Sequence, residues 1–314
     1  MTQDNAWNFD DSLRVLIGEF GEKIIPDHPL AEYNTMGTGG AARLFMEVDS
    51  AEELSRLVAM AARLKIPFFM LGGGSNLLVS DAGYKGLIIK NSIMDLDCDG
   101  EQVHSGSGEE LQALINFATE KSLTGLEFAT GIWGTVGGAI FGNAGAYGDE
   151  VGNLLVEAEL VDRQGNIRTE KAAYFDFSYR WSKLKNTMEF VTGARFALKK
   201  GEKVKIMRRV DEIMAMRAAK LPIGLHSAGC FFKNIPDKTR KFGKLSAGQL
   251  LDEIGAKQLR CGDARVFENH ANILINDGSA KSDDIKKLSQ IMKSKVREKF
   301  GIELQEEIIF LGEF

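Results

Sequence analysis

Residues 66–79 read IPFFMLGGGSNLLV, an apolar run that stops at three consecutive glycines. The run at residues 66–71 predicts a buried strand, because it is short, apolar and bounded by glycine. Glycines at the end of a strand let successive backbone amides turn toward an anion, since no Cβ stands in the way. Ser75 and Asn76 add side-chain donors. The sequence therefore predicts one wall of a phosphate site here.

A second glycine-rich stretch, residues 125–148, reads GLEFATGIWGTVGGAIFGNAGAYG. Its residues 131–138 predict a second wall of backbone amides. Either loop alone reads equally well as a tight turn, but two such loops in one chain favour a dinucleotide. A Walker-type ATP loop is excluded, because no lysine follows the glycines of the first loop. Residues 37–42, GTGGAA, match the letters of a Rossmann fingerprint but do not follow a clear buried strand.

Helices and strands alternate around these loops, which indicates an α+β or α/β architecture. Ser50 and Glu53 form a capping-box pattern and predict a helix over residues 51–64. Residues 154–161 alternate in polarity and lead into a hairpin turn at 162–166. Further helices are predicted at 108–121, 204–221, 246–254 and 282–300, with Pro222 ending the second of these, and strands at 86–90, 102–105, 190–198, 271–276 and 302–311.

Bulk composition excludes several classes of protein. The length of 314 residues exceeds a single core, and the net charge of -5 is spread along the chain, which argues against a nucleic-acid partner. Three cysteines and four histidines lie far apart, so we expect neither a disulfide framework nor a metal site. The acidic N-terminus does not resemble a signal peptide, and no apolar run is long enough to span a membrane. We therefore expect a cytoplasmic protein without membrane insertion.

The ordered set of motifs along the chain resembles the UDP-N-acetylenolpyruvoylglucosamine reductases, the MurB enzymes. Those motifs are NTMGTGG (34–40), LGGGSNLLVSDAG (71–83), GIWGTVGGAIFGNAGAYG (131–148), FSYRWSKLK (177–185) and SAGCFFKN (227–234). The resemblance continues through residues 246–248, 270–272 and 304–307, and covers roughly residues 30 to 312. One motif alone would be weak, whereas the ordered set is specific.

The resemblance implies an α+β fold, with an FAD-binding domain of the vanillyl-alcohol oxidase or PCMH type. That domain would have two α+β subdomains, at residues 1–90 and 91–203, and a smaller C-terminal α/β substrate-binding domain would follow at 204–301. Residues 302–314 would return to the first subdomain. The short interval between Arg180 and Cys230 is similar to a compact subtype that lacks an inserted substrate-capping segment.

The same resemblance implies non-covalent FAD held by both loops, and NADPH as the hydride donor. Neither loop contains the histidine or cysteine to which some oxidases of this fold attach their flavin. The predicted cofactor contacts are Thr35, Gly72, Gly73, Gly74, Ser75, Asn76, Leu77, Thr130, Gly131, Gly134, Thr135, Gly137, Gly138, Asn143, Ala144 and Gly145.

The implied reaction is reduction of the enolpyruvyl double bond of UDP-N-acetylglucosamine enolpyruvate, which gives UDP-N-acetylmuramate for peptidoglycan synthesis. Three catalytic residues are implied. Arg180 would bind the carboxylate, because its fork stays charged and matches two oxygens. Cys230 stands where most family members have a serine proton donor, and its thiol has a reference pKa of about 8.5. Glu307 would help to polarise the substrate.

Each of these residues also has an ordinary explanation. Arg180 alone reads as a surface ion-pair residue, and Cys230 as a buried small hydrophobe. Glu306 and Glu307 point to opposite faces if residues 302–311 form a strand, and the pattern does not choose between them. The family register favours Glu307.

Tyr147, Lys233 and Asn234 are predicted substrate contacts, with solvated polar or core aromatic residues as the alternative. Two other functions stay open: an oxidase of the same fold that passes electrons from an alcohol or sugar to O2, and a non-enzymatic nucleotide-binding protein. Neither explains the set of Arg180, Cys230 and Glu307. The expected partner is a small sugar nucleotide; the oligomeric state is not predicted, although a monomer is compatible with the sequence.

Overall fold

A computed structural model of the chain describes residues 7–221, 224–240 and 243–314. It contains two compact units. Unit 1 comprises the described residues up to His28, together with Ala42–Gly73 and Lys85–Ala215. Unit 2 comprises Pro29–Ala41, Gly74–Tyr84 and Met216–Phe314. The first six residues and Pro222, to which two of the sequence predictions refer, lie outside the described residues.

The helices predicted at 51–64, 108–121, 204–221, 246–254 and 282–300 are confirmed, with small differences at their ends. In chain order the α-helices are α1 (Phe9–Phe20), α2 (Ala51–Arg63), α3 (Leu111–Glu120), α4 (Val136–Gly142), α5 (Leu184–Thr187), α6 (Lys203–Ala218), α7 (Ala247–Glu253) and α8 (Ser282–Phe300).

The strands are short, and many of them were not predicted. In chain order they are β1 (Ile25–Pro29), β2 (Ala41–Val48), β3 (Phe68–Leu71), β4 (Leu77–Val79), β5 (Tyr84–Asn91), β6 (Leu96–Asp99), β7 (Gln102–Gly106), β8 (Leu123–Thr124), β9 (Gly145–Ala146), β10 (Asp149–Glu150), β11 (Leu155–Val161), β12 (Ile167–Lys171), β13 (Phe190–Ala197), β14 (Lys199–Lys200), β15 (Ile235–Pro236), β16 (Lys244–Leu245), β17 (Arg260–Cys261), β18 (Ala264–Phe267), β19 (His270–Asn276) and β20 (Ile309–Leu311).

The first sheet of unit 1 has the strand order β1-β2-β5-β3, and apolar residues of α1 and α2 share its core. At the start of α2, Ser50 Oγ accepts a hydrogen bond from the Glu53 amide at 3.3 Å. The Glu53 carboxylate accepts from the Asp49 amide at 3.4 Å and from Lys23 Nζ at 2.6 Å, instead of from the Ser50 amide. One half of the predicted capping box is therefore confirmed, and the other half is replaced by an ion pair with Lys23.

The second sheet of unit 1 has the order β12-β11-β13-β7-β6 and is antiparallel throughout. The predicted hairpin joins β11 to β12, with Val161 beside Ile167 and the Asp162 amide bonded to the Asn166 carbonyl at 3.0 Å. Helices α3 and α4 contribute buried residues to the core of this sheet, including Leu114 and Ile140. Unit 1 thus contains two α+β layers, each with a core of its own.

Unit 2 is built around the antiparallel sheet β17-β18-β19, against which α7 and α8 pack. The predicted mixture of helices and strands in the C-terminal region is present, with the strands antiparallel. Buried Leu251, Leu274 and Leu288 join these elements. Together with the two layers of unit 1, this confirms the predicted α+β class. In the described part of the chain, no helix has the length and apolar character that crossing a membrane requires.

The C-terminal strand is shorter than predicted. Instead of residues 302–311, only Ile309–Leu311 form a strand, which pairs in parallel with Leu77–Val79. The partner strand has three residues, so it limits the length of the pair. Residues just before β20 bond instead to the segment around Phe232, through an isolated bridge between Phe232 and Glu306.

Candidate active site

The two predicted glycine loops meet within unit 1. A Cβ on Gly73 would lie 2.9 Å from the Gly134 Cα, and a Cβ on Gly72 would lie 2.6 Å from Thr135 Oγ1. Backbone therefore approaches backbone at a distance that a side chain would prevent. Among the described residues, the amides of Gly73 and Gly134 donate no hydrogen bond to another part of the protein. These amides are free to bind a ligand.

Other amides of the second loop hold the loop itself. The Gly131 amide donates to Gln112 Oε1 at 3.0 Å, the Gly137 amide donates to the Ser107 carbonyl at 2.8 Å, and the Gly138 amide donates to Thr135 Oγ1 at 3.3 Å. Gly131, Gly137 and Gly138 were all predicted as cofactor contacts. Their amides are occupied by partners in the protein, and their contact with a cofactor stays a prediction.

Two buried threonine hydroxyls fit a polar ligand. Thr130 Oγ1 in unit 1 and Thr35 Oγ1 in unit 2 are buried and have no hydrogen-bond partner among the described residues. A buried hydroxyl without a partner is unfavourable, and a ligand oxygen or nitrogen would satisfy it. Both threonines were predicted as cofactor contacts. Within unit 1, the open amides of Gly73 and Gly134 and the unpaired hydroxyl of Thr130 are therefore compatible with a dinucleotide cofactor.

The first loop continues into unit 2 from Gly74 onward. Gly74 has a positive φ of 62°, and a Cβ there would collide with the Tyr33 carbonyl, so only glycine fits. Asn76 Nδ2 donates to the Glu307 carbonyl at 3.1 Å, and the Asn76 carbonyl accepts from the Ile309 amide at 3.0 Å. Leu77 begins β4 and is buried. Asn76 therefore ties the loop to the segment that carries Glu307.

Arg180 lies in unit 1, on a two-residue turn. Ser178 and Trp181 exchange backbone hydrogen bonds of 3.1 and 3.0 Å, and Arg180 is the second residue between them. Its φ is 55°, a left-handed conformation that costs a non-glycine residue about 1–3 kcal/mol. The Arg180 Nη1 donates to the Gly145 carbonyl at 3.0 Å. Arg180 thus lies on a turn, half-buried and bonded to backbone, and its catalytic role stays a prediction.

Asn143 joins this turn to the glycine-rich loop. Its side chain is fully buried, with Nδ2 donating to the Ser178 carbonyl and Oδ1 accepting from the Gly152 amide, both at 3.0 Å. The neighbouring Ala144 amide bonds to the Ala139 carbonyl at 2.8 Å, as part of the end of α4. Asn143 and Ala144 were predicted as cofactor contacts. In the structure, the Asn143 side chain bonds to the turn that carries Arg180.

Tyr147 is exposed on the hairpin between β9 and β10. The hairpin turn is formed by Tyr147 and Gly148, which have positive φ angles of 57° and 99°. Gly145, at the base of the hairpin, is the residue that Arg180 binds through its carbonyl. The structure therefore brings the predicted substrate residue Tyr147 and the predicted catalytic Arg180 onto adjoining turns of unit 1.

Cys230 and Glu307 lie together in unit 2. Cys230 forms an isolated bridge with Ile273, and the next residue, Phe231, accepts a hydrogen bond from the Glu307 amide at 2.8 Å. Cys230 is exposed, so the alternative of a buried small hydrophobe is wrong. Because Arg180 belongs to unit 1, the convergence of all three catalytic residues stays a prediction.

Glu306 has a different environment from Glu307. Lys293 Nζ, on α8, donates to the two carboxylate oxygens of Glu306 at 3.0 and 3.3 Å. Desolvation lowers the pKa of Lys293, but hydrogen bonds and charge from Glu306 and Glu303 outweigh it and raise that pKa overall. The Glu306 carboxylate is thus engaged with Lys293, and the choice of Glu307 as the functional glutamate stays a prediction from the family register.

Lys233 and Asn234, the other predicted substrate contacts, follow Cys230 on the same segment. The Lys233 amide donates to the Gln305 carbonyl at 2.8 Å, which extends the pairing with the Glu307 segment. Asn234 Oδ1 accepts from the Ala247 amide at 3.1 Å, at the start of α7. Asn234 therefore helps to cap α7 through its side-chain oxygen. Its contact with the substrate stays a prediction.

Comparisons with known proteins show the family to which the chain belongs. Residues 42–170 match the family described as "FAD binding domain", and residues 221–311 match "UDP-N-acetylenolpyruvoylglucosamine reductase, C-terminal domain". The chain is 36% identical over 304 residues to the UDP-N-acetylenolpyruvoylglucosamine reductase of Caldanaerobacter subterraneus subsp. tengcongensis, covering 96% of this chain and 98% of the relative. The chain belongs to the UDP-N-acetylenolpyruvoylglucosamine reductase family.

Two further members of the reductase family are similar over nearly their whole length. The protein of that name from Caldicellulosiruptor bescii is 38% identical over 297 residues, covering 94% of this chain and 92% of the relative. The crystal structure of the Thermus caldophilus reductase, MurB, superimposes with a TM-score of 0.77 at 34% identity, covering 92% of this chain and 98% of that chain. The predicted FAD-binding fold and the predicted cofactor FAD are confirmed at the level of the family.

Several residues that shape this reductase site were not predicted. Lys185 Nζ donates to the Arg180 carbonyl at 2.7 Å, and the buried Ser182 Oγ donates to the Phe141 carbonyl at 2.7 Å. In unit 2, Asn272 bonds both backbone groups of Phe232, at 2.9 and 2.8 Å. All three residues fall within or beside motifs of the reductase resemblance. Their place in those motifs was the signal in the sequence by which they could have been found. Their partners are backbone groups, which a sequence does not identify.

Proposed function

We propose that this chain reduces UDP-N-acetylglucosamine enolpyruvate to UDP-N-acetylmuramate, with non-covalent FAD and with NADPH as the hydride donor. The observation that carries the proposal is the end-to-end match to the reductase family, including 98% of a relative that is 36% identical. The product is a peptidoglycan precursor. We therefore also propose a cytoplasmic role in cell-wall synthesis, and through it in cell shape and division.

FAD, when bound, supplies hydride transfer between NADPH and the enolpyruvyl group. The residues of unit 1 that would hold it are those with open polar groups: Gly73, Gly134 and Thr130. Gly74 and Asn76 would fix the course of the first loop. Because Gly72 and Gly73 have no Cβ, the two loops pack closely against each other, which brings the backbone of Gly73 next to that of Gly134.

Arg180 would bind the carboxylate of the substrate. Adding hydride to the double bond builds negative charge on the carboxylate side, and a preorganised cation stabilises that charge. The guanidinium is preorganised here in two ways: its backbone is held in a fixed turn, and its Nη1 is anchored on the Gly145 carbonyl. The strain at Arg180 is consistent with a functional position, since strained backbone collects at such sites.

Cys230 would deliver the proton that completes the reduction. An exposed thiol on a fixed backbone can reach a substrate, and a thiol gives up its proton more readily than a serine hydroxyl. Glu307, one step along the paired segments, would orient or polarise the substrate. The assignment of these roles follows the family motifs together with the exposure of Cys230.

Anaerobic stopped-flow absorbance of the two half-reactions tests the proposal. NADPH should bleach the flavin of the purified yellow protein, and UDP-N-acetylglucosamine enolpyruvate should restore the colour with formation of UDP-N-acetylmuramate. UDP-N-acetylglucosamine, which lacks the enolpyruvyl group, is the control and should restore no colour. If the sugar nucleotide has no effect while O2 restores the colour and peroxide accumulates, the chain is an oxidase and the proposal is wrong.

A further inference from the structure

The carbonyl of Arg180 is the acceptor of a charged hydrogen bond from Lys185. The Lys185 ammonium lies 2.7 Å from that carbonyl and 5.7 Å from the centre of the Phe141 ring. Lys185 is half-buried, and its own amide bonds to the Ser182 carbonyl at 3.1 Å at the start of α5. The lysine is thus fixed at its backbone as well as at its ammonium group.

Left-handed backbone at an arginine persists only where the surroundings hold it. Three side chains fix the turn from Ser178 to Trp181: Asn143 on the Ser178 carbonyl, Ser182 on the Phe141 carbonyl, and Lys185 on the Arg180 carbonyl. Asn143 and Ser182 act at the ends of the turn. Lys185 acts on the strained residue itself, and hydrogen bonds from a charged donor are about twice as strong as neutral ones.

We infer that Lys185 is a positioning residue for the reduction step, because its ammonium holds the Arg180 backbone in the conformation that presents the guanidinium to the substrate carboxylate. Lys185 acts through Arg180, without touching the substrate. The inference rests on the proposed function, since it assigns Lys185 to the half-reaction in which a carboxylate is bound. The half-reaction with NADPH does not use that carboxylate and should be unaffected.

The test compares Lys185→Met with Lys185→Arg in the FAD-bound protein. Methionine keeps the alkyl chain beside Phe141 but removes the charged donor, and we expect reduction of the enolpyruvyl sugar nucleotide to slow by about 10- to 100-fold, as for the loss of one hydrogen bond from a charged group. Flavin reduction by NADPH should keep its rate. Arginine restores a charged donor, so Lys185→Arg should recover most of the lost rate.

A double-mutant cycle with Arg180→Ala separates positioning from a general structural role. If Lys185 acts through Arg180, adding Lys185→Met to Arg180→Ala should slow reduction of the substrate by less than about twofold, because coupled residues are not additive. Additive losses would overturn the inference. An equal slowing of both half-reactions by Lys185→Met would overturn it as well, since that result indicates loose folding of unit 1.

Hydrogen exchange gives a measurement that does not depend on turnover. The Trp181 amide is bonded to the Ser178 carbonyl, and its exchange should speed up in Lys185→Met but not in Lys185→Arg. Unchanged exchange across residues 177–185 in Lys185→Met would overturn the inference. If wild-type protein fails to reduce the sugar nucleotide, the proposed function is wrong, and the exchange experiment still reports whether Lys185 holds the turn.

Discussion

The turn that carries Arg180 and the segment that carries Cys230 are held in different ways. Around Arg180, the side chains of Asn143, Ser182 and Lys185 bond to backbone carbonyls, and the backbone is left-handed. Around Cys230, backbone pairs with backbone on both sides: Phe231 donates to the Asn272 carbonyl and accepts from the Glu307 amide, each at 2.8 Å. Arg180, the predicted catalytic residue of unit 1, therefore depends on other side chains. Cys230, predicted for unit 2, lies on paired backbone, and we expect that scaffold to tolerate exchange of its side chain.

The largest effect is expected at Cys230, where removal and exchange of the thiol should differ. Cys230→Ala should slow reduction of the enolpyruvyl substrate by ~10²–10⁴-fold, the usual contribution of a proton donor, while flavin reduction by NADPH survives. Cys230→Ser keeps a donor on the same backbone and should retain most activity. Stopped-flow rates of both half-reactions provide the measurement. An unimpaired Cys230→Ala variant would reject Cys230 as the acid.

Glu307 and Glu306 form a matched pair on the same segment. Glu307→Gln should lower kcat/KM for the sugar nucleotide by about 10²-fold, comparable to losing one group that stabilises charge in the transition state. Glu306→Gln removes the charge from an ion pair with Lys293 in which the side chains are only 23% and 26% exposed. We expect it to lower stability and to leave kcat/KM close to wild type. The reverse ranking of the two variants would move the catalytic role to Glu306.

Two buried asparagines test how each region is held. Asn272→Ala leaves both backbone groups of Phe232 without their side-chain partner, and we expect it to lower the free energy of unfolding by about 2–4 kcal/mol. Asn143→Ala leaves the Gly152 amide unpaired and removes one of the two bonds to the Ser178 carbonyl, and we expect a loss of about 1–3 kcal/mol. Asn143 has a φ of 46°, so alanine there adds roughly 1 kcal/mol of backbone strain.

Asn143→Gly is the control for that strain, since glycine adopts a left-handed conformation at no steric cost. Urea unfolding should rank Asn143→Ala as less stable than Asn143→Gly. Equal stability of the two variants would mean that the conformation of Asn143 contributes nothing, and the contrast between the two regions would then rest on hydrogen bonds alone.

The smallest effect is a pH dependence confined to unit 2. Burial is the main cause of the lowered pKa of His270, followed by the nearby charges of Lys220 and Lys257, with Asp252 acting in the opposite direction. His270 Nδ1 also accepts from the Asn272 amide at 3.2 Å, which requires the neutral ring. The folded protein thus binds fewer protons than the unfolded chain just below the ordinary pKa of about 6.5, so stability is lost as pH falls through that range.

Replacing the ring tests this sign. The Tm of the wild type should fall between pH 7.5 and pH 5.5 by more than that of His270→Gln, and the two curves should converge at the higher pH. A His270→Gln variant that loses as much Tm on acidification as the wild type would exclude His270 as the group responsible.

Local signals in the sequence predicted much of the fold. Helix α8 begins at Ser282 and ends at Phe300 as predicted. The signals are Asp283 and Asp284 in its first turn and Gly301 directly after its last residue. The predicted strand 302–311 was too long, because the partner strand Leu77–Val79 is distant in the chain and sets its length. Long-range pairing of this kind leaves no periodic signal in either segment.

The candidate site was predictable in its motifs and less so in the role of each residue. The glycine loops meet as predicted, since close backbone approach requires glycine at Gly72 and Gly73. Asn143 was predicted to contact the cofactor, but its side chain holds the Arg180 turn. Lys185 lies within a motif, and its partner is the backbone carbonyl of Arg180, five residues earlier. Every residue has a backbone carbonyl, so the sequence does not show which of them a lysine bonds.

The pairing of β4 with β20 has a consequence for synthesis of the protein. Asn76 is bonded to Glu307, 231 residues further along the chain, and Leu77–Val79 find their partner strand just beyond it. A ribosome makes about 5–20 residues per second, so the nascent chain exposes these buried residues for about 12–46 s before their partner exists. Unit 2 therefore reaches its native state only after β20 has been made, and this stretch is where we expect a chaperone to bind the emerging chain.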